Sequence, residues 1–270
     1  MIKGDLPSFE SIYFRSSLIK QAVVGSFVRN LKSYPLFTTA LVVAVVAVHL
    51  MVFSLEQSIW EGRLLGPFPD MRTKALLVFG ARFTPAISAG EPWRLISCVF
   101  LHGDMMHLGL NMVALFGLGR ICEAVYGPAR LSWLLLVSGV SGSALSMYGG
   151  TPLSVGASGA VFGLLGAGVV FGLRYRHYLE GPLKKVFGRG LMPWVILNIS
   201  IGLFVPQIDN LGHLGGLAGG AVMALILGNR VIPGEEGHRN LGRLMTCAVI
   251  GLTTWTVLMM IDSVLAALGS

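Results

Sequence analysis

The apolar residues of this chain gather into long runs that follow one another, most of them separated only by short polar gaps. A helix needs roughly 20 mostly apolar residues to cross a bilayer. Segments 36–55, 104–124, 130–148, 155–173, 191–206, 211–228 and 246–268 meet that pattern. All are read as helices, because an open strand cannot satisfy its backbone in lipid. Pro206 and the polar stretch Gln207-Ile208-Asp209-Asn210 separate the fifth segment from the sixth. Ahead of the first lies an amphipathic stretch in which Ile12, Leu18, Ile19, Ala22, Val23 and Val28 interleave with Arg15, Lys20 and Arg29. It is expected either to lie on the membrane surface or to form a solvated N-terminal helix. The long segment 56–103 carries Pro67, Pro69, Pro85, Pro92, Gly66, Gly80 and Gly90, yet also the apolar patch Ala75-Leu76-Leu77-Val78-Phe79. A partly embedded hairpin packed on protein is the expectation there. The expected fold class is an all-α polytopic membrane helix bundle.

Composition agrees with lipid as the solvent. Hydrophobic residues make up 54% and charged residues 12%, with a mean hydropathy of +0.73. A soluble domain carries about 25% charge, and so few charges could not cover a water-facing surface. The net charge of +7 does not indicate nucleic acid, because the basic residues flank apolar segments. With the N-terminus inside, most Lys and Arg fall in inner segments, and the rest lie in the 56–103 loop. That bias predicts a cytoplasmic N-terminus and an outer C-terminus. Residues 1–35 show no signal-peptide core with a cleavage site. Cys98, Cys122 and Cys247 give neither a disulfide framework nor a CxxC spacing, and are read as small apolar packers.

Polar residues inside a membrane are costly and mark function by default. The second span opens at His102-Gly103-Asp104-Met105-Met106-His107 and continues to Asn111; the fourth opens with Gly156-Ala157-Ser158-Gly159; the sixth opens with Gly212-His213. These three spans run in the same direction, so their first turns share one layer near the outer face. His107 and Asn111, four apart, share a helix face. His102 is about 140° round from His107 at 100° per residue, so it points elsewhere or precedes the helix. Gly212, Gly216 and Gly220 form a small-residue face, as do Gly159 and Gly163, and such faces bring backbones close.

The chemistry this layer allows is acyl transfer. A serine hydroxyl needs a base to take its proton, and histidine is the usual one. Free N–H groups and the positive dipole end at a helix start suit an oxyanion. His107 and Asn111 add side-chain donors. Asp209 lies four before His213 but in the turn, and is not assigned as a third member; a Ser–His dyad is the simpler reading. Taken alone, a serine between glycines is usually a packing residue, and a histidine in a span is more often a structural hydrogen-bonder. His49, His177, His238, Asn198 and Asp262 are read that way. Convergence of several polar residues is what changes the reading.

The chain resembles the rhomboid intramembrane serine proteases. Trp93-Arg94, His102…His107…Asn111, Glu123, Gly156-Ala157-Ser158-Gly159 and Gly212-His213-Leu214-Gly215-Gly216…Gly220 carry the resemblance, over about residues 91–228. GxSG alone is weak, since soluble hydrolases use similar strings; three motifs, each on its own span, are strong. The resemblance implies Ser158 as nucleophile, His213 as general base, and oxyanion stabilisation by His107, Asn111 and the backbone at Ser158. It implies that Trp93 and Arg94 anchor the loop and that Glu123 braces the second span. Gly156, Gly159, His102 and Phe162 are counted as supporting residues. Phe162 stands where many bacterial members have Tyr; its ring can pack on His213 but lacks a hydroxyl.

The division implied is a cytoplasmic segment 1–35, a six-span rhomboid-like core 36–228, and a linker with a seventh span, 229–270. Substrates would be single-span membrane proteins cut near the outer face, with no metal, nucleotide or other cofactor. Membrane lipid is the remaining partner, nucleic acid is not expected, and oligomeric state is left open. The protein is expected as a multi-pass component of a bacterial plasma membrane. Two other readings compete: a catalytically inactive relative serving as a binding or quality-control protein, and a metal-dependent enzyme or transporter. HExxH is absent, and HxxxxH does not put two ligands on one helix face.

Overall fold

The computed structural model describes residues 9–61, 70–205, 208–235 and 239–269. The helices are α1 (Phe9–Lys32), α2 (Leu36–Glu61), α3 (Met71–Val78), α4 (Thr84–Ser88), α5 (Arg94–Ser97) and α6 (Met105–Tyr126). They continue as α7 (Pro128–Tyr148), α8 (Ser158–Arg174), α9 (Gly181–Val186), α10 (Met192–Phe204), α11 (Asn210–Ile226) and α12 (Arg239–Leu268). Two short strands, β1 (Arg82–Phe83) and β2 (Leu153–Ser154), pair antiparallel with Arg82 opposite Ser154. The protein is an all-α polytopic membrane bundle, and a helix stands at the place of each apolar run.

Length divides these helices into two kinds. Four described helical stretches are long and apolar enough to cross a bilayer: Ser17–Ile59, which takes in α2, then Met105–Tyr126, Pro128–Tyr148 and Gly242–Leu268. The apolar helices α8, α10 and α11 are shorter. At about 1.5 Å per residue, a 17-residue helix reaches only about 25 Å, less than the roughly 30 Å hydrocarbon layer. α8 is buried from Ala160 to Gly168, enclosed by its neighbours rather than by lipid.

Glycine makes that enclosure tight. A Cβ built at Gly216 would overlap the Gly159 carbonyl, and one at Gly220 would overlap the Gly163 carbonyl. α7 joins the same contact: a Cβ at Gly142 would lie 2.7 Å from the Gly212 carbonyl and 3.4 Å from the Gly159 Cα. Three helix backbones therefore meet at one level without side chains between them, which only small residues permit.

The 56–103 segment is largely ordered protein. Ala75, Leu76, Leu77, Val78 and Phe79 are buried, in a cluster with Val52 and Ile59 of α2 and Met260 and Ala267 of α12. The apolar patch read from the sequence is thus spent on packing against two helices. α1 is neither a free solvated helix nor wholly a surface one. Val23 and Phe27 are buried, Phe27 meets Phe187 edge-on at 5.8 Å, and Asn30 Nδ2 donates to the Ala124 carbonyl at 3.0 Å. Leu18, Ile19 and Val28 remain exposed, and Ile12 lies outside the described side chains.

Polar ties hold the frame together. Glu123, buried in α6, accepts from the Thr38 N–H at 2.9 Å, the Thr38 hydroxyl at 2.6 Å and the Phe37 N–H at 3.3 Å. It thereby caps the N-terminus of α2, whose first N–H groups have no partner within the helix. Arg230 closes the other end of this contact, donating from Nη2 to the Glu123 carbonyl at 2.8 Å and from Nε to the Ala124 carbonyl at 3.2 Å.

Candidate active site

Ser158 is the first residue of α8 and is half-buried. Its approach is shaped by Gly156, whose φ of +127° belongs to the region that favours glycine. The Gly156 N–H donates to the Cys98 carbonyl at 2.9 Å, pinning the loop to the end of the 56–103 segment. A Cβ there would also lie 2.8 Å from His107 Nε2, so glycine leaves the space that this ring occupies. Gly159 touches the α11 backbone, as above. Gly156 is required both by its φ and by contact, whereas a Cβ at Gly159 would meet its nearest neighbour, the Gly212 carbonyl, at 3.4 Å.

His213 is buried in the first turn of α11, whose N-cap is Asp209. Its ring stacks on Phe162 with centroids 4.1 Å apart and planes 12° apart. Phe162 follows Ser158 by four residues and so shares its helix face. The stack therefore holds the imidazole over the face of α8 that carries Ser158. Among the described residues, no hydrogen bond joins Ser158 to His213, and His213 Nδ1 has no partner. Asp209 does not orient the ring by its carboxylate: Oδ1 accepts the Gly212 N–H at 2.8 Å, and Oδ2 accepts from the hydroxyls of Ser146 and Ser154.

The two histidines of the second span come together, because His102 takes the second of the two places the sequence left for it, ahead of the helix. α6 begins only at Met105, so His102 precedes the helix and its ring lies 5.0 Å from that of His107. His102 is fully buried, and burial together with the neighbouring His107 pushes its pKa down to about 3. The neutral ring accepts the Ala157 N–H at Nε2, 3.4 Å away. His102 thus steadies the residue before Ser158. Asp104 caps α6, accepting the His107 N–H at 2.8 Å. Asn111 is buried and its amide donates back to the His107 carbonyl at 2.9 Å.

Residues 89–230 match the family model described as Rhomboid domain.

The chain belongs to the rhomboid family.

It is 38% identical over 179 residues to Rhomboid protease GluP of Bacillus subtilis (strain 168), covering 66% of this chain and 34% of that protein. It is 38% identical over 175 residues to RHOMBOID-like protein 5 of Arabidopsis thaliana, covering 63% and 54%. RHOMBOID-like protein 7 of the same plant is 33% identical over 202 residues, covering 73% and 61%. The chain spans less than two thirds of the length of each of these relatives.

In this rhomboid the pair Trp93-Arg94 lies at the core of the 56–103 segment. Both are buried, and the Arg94 guanidinium sits 4.7 Å from the Trp93 ring centroid, within cation–π range. Arg94 Nη1 donates to the carbonyls of Leu77 at 2.6 Å and Ala81 at 3.2 Å, while Nε pairs with Glu91 at 2.5 Å. Trp93 lies against Gly80, where a side chain would collide with its ring.

Several residues of this site were not singled out from sequence. Arg72 ties the 56–103 segment to the histidine-bearing turn, donating to the carbonyls of His102 at 2.8 Å and Gly103 at 3.0 Å and pairing with Glu56 at 3.1 Å. It also reaches His49 Nδ1 at 3.2 Å, which gives that buried histidine the structural role read for it. The capping roles of Asp104 and Asp209 were legible in principle, since Asp just before an apolar helical run is a start signal. Arg72 carried no such signal. Cys98 is buried with Sγ 3.2 Å from the Ser143 hydroxyl, and burial raises its thiol to about 11, so it stays protonated and inert.

Proposed function

We propose that this rhomboid is an intramembrane serine endopeptidase that cleaves single-span membrane proteins, with Ser158 as nucleophile and His213 as general base. The observation that carries the reading is the Phe162–His213 stack, which sets the imidazole over the Ser158 face of α8. Proton transfer needs heavy atoms about 2.6–3.2 Å apart, and such bonds are often looser before substrate binds. Attack by Ser158 Oγ on a peptide carbonyl, with its proton passing to His213, gives a tetrahedral oxyanion. The Ser158 N–H at the start of α8, His107 beside Gly156, and Asn111 supply donors for that charge. With the Asp209 carboxylate engaged elsewhere, the arrangement supports a dyad.

Topology is part of the proposal. The basic bias supports a cytoplasmic N-terminus, which puts the starts of α6, α8 and α11 toward the outer face of a bacterial plasma membrane. α8 and α11 fall short of the hydrocarbon thickness, so their N-termini can open into a recess that admits water. The core is taken as residues 36–228, with 229–270 adding a seventh span. Gly and Pro weaken helix formation, so a substrate helix that carries them near its outer end would unwind most easily.

The deciding experiment is reaction of the purified protein with a fluorophosphonate probe. Wild type should label, while Ser158→Ala and His213→Ala should not. Labelling that persists in Ser158→Ala would end the assignment. The unformed Ser158–His213 hydrogen bond is what a catalytically inactive binding or quality-control relative would also show. For that reading, wild type itself would fail to label.

A further inference from the structure

We infer that Asp209 is a positioning residue whose carboxylate latches the segment leading into Ser158 to the helix that carries His213. This deepens the proposed function and rests on the Ser158–His213 reading.

The carboxylate gathers donors from three separate elements. Oδ1 accepts the Gly212 N–H at 2.8 Å, the ordinary work of a helix cap. Oδ2 accepts the Ser154 hydroxyl of β2 at 3.0 Å and also the Ser146 hydroxyl of α7. Position along the chain gives the arrangement its meaning. Ser154 lies four residues before Ser158. Asp209 lies four before His213, and its own carbonyl accepts the His213 N–H at 3.0 Å. One carboxylate thus bonds a residue just upstream of the nucleophile and sits one turn upstream of the base. A third tie, through the buried Ser146, fixes both to α7, which already shares the glycine contact with α8 and α11.

The outer loop enters the same assembly. Arg82 pairs across the β1–β2 ribbon with Ser154 and is fully buried. Its Nη1 donates to the Thr84 hydroxyl at 3.2 Å, while Nε and Nη2 have no partner among the described residues. The Asp209 carboxylate is among the charges acting on this cation.

A cap alone would need only one acceptor oxygen. Here the second oxygen takes hydroxyls from outside α11, and that surplus distinguishes a latch from a cap. Asparagine separates the two: its single carbonyl oxygen can keep the Gly212 cap but cannot also serve Ser154 and Ser146 in the same geometry. Because a misplacement of about 1 Å can cost about 100-fold in rate, loss of the latch should lower the reactivity of the protein that remains folded.

The test uses the full-length protein in detergent and a fluorophosphonate, measured as limiting labelling rate and half-saturating probe concentration. Asp209→Asn and Ser154→Ala should each lower the limiting rate by about 10- to 100-fold at equal folded protein, with little change in half-saturating concentration. The double variant should be no slower than the slower single, because residues sharing one interaction are non-additive. Wild-type rates in both singles, multiplicative losses in the double, or rate losses that vanish once scaled to folded protein would each overturn the latch. Ser158→Ala runs alongside: if it still labels, the dyad fails and the latch falls with it. If it is silent while both latch variants react normally, the dyad stands and only the latch is lost.

Discussion

Phe162 lies flat on His213, ring centroid to ring centroid 4.1 Å, and it does so from the same α8 face that presents Ser158. A helix spacing of four thereby becomes a constraint on an imidazole that arrives from a different helix. The stack is close to parallel, with 12° between the ring planes.

Phe162→Leu should therefore slow fluorophosphonate labelling, while Phe162→Tyr should be tolerated. An aromatic pair contributes about 0.5–1.5 kcal/mol beyond its buried area, which is about 2- to 12-fold if all of it serves alignment. Thermal midpoints measured alongside separate alignment from folding. Equal rates in Phe162→Leu and wild type would show that the stack does not orient His213.

Gly216→Val should be far more damaging than Leu225→Val, although both lie on α11. A Cβ at Gly216 would overlap the Gly159 carbonyl one residue from Ser158, whereas Leu225 is exposed. The valine must push α11 away from α8, and a shift of about 1 Å is enough to cost about 100-fold in rate. Labelling rates of the two variants at equal folded concentration give the comparison. Full reactivity in Gly216→Val would remove close approach as the means of alignment.

His102 should make stability depend on pH. Its pKa falls from an ordinary 6.5 to about 3 in the folded protein, chiefly through burial. Between those values the unfolded chain binds the extra proton, so stability is full above about pH 6.5 and declines as pH drops toward 3. Each pH unit in that window costs up to about 1.4 kcal/mol. Thermal unfolding in detergent from pH 7.5 to 4.5 should show the decline, and His102→Gln should make it shallower. Parallel curves for the two proteins would mean that His102 does not carry the effect.

Glu123→Ala should destabilise the bundle without touching the chemistry. It removes three hydrogen bonds to the start of α2, two of them from Thr38. Hydrogen bonds to a charged group are typically worth about 1.5–3 kcal/mol each. The thermal midpoint should drop by several degrees, while labelling at low temperature persists at near wild-type rate. A lost labelling rate with an unchanged midpoint would move Glu123 from the frame into the site.

The polar residues were visible in the sequence because lipid makes each of them an exception. Ser158, His107, Asn111 and His213 stand out only against long apolar runs, and the glycine spacing around Gly216 marks a close helix contact in the sequence itself. Helix starts were legible to within one residue at α6 and three at α8, where Asp104 and the Gly156 turn interrupt the apolar pattern. The sequence left two places for His102, off the His107 face or ahead of the helix; it lies ahead of the helix, where 100° per residue does not apply.

By itself, then, the sequence determined which segments belong in lipid and which residues are too polar to be there idly, since solvation free energy is paid locally, residue by residue. Tertiary structure alone decided what those residues touch: that Arg72 holds the His102 carbonyl, that Asp209 bonds Ser146 and Ser154 rather than the imidazole, and that Arg82 is buried opposite Ser154. Such contacts join positions tens of residues apart. Hydrogen bonds act over about 3 Å, and nothing in the composition of either partner segment encodes which distant segment will supply the other half.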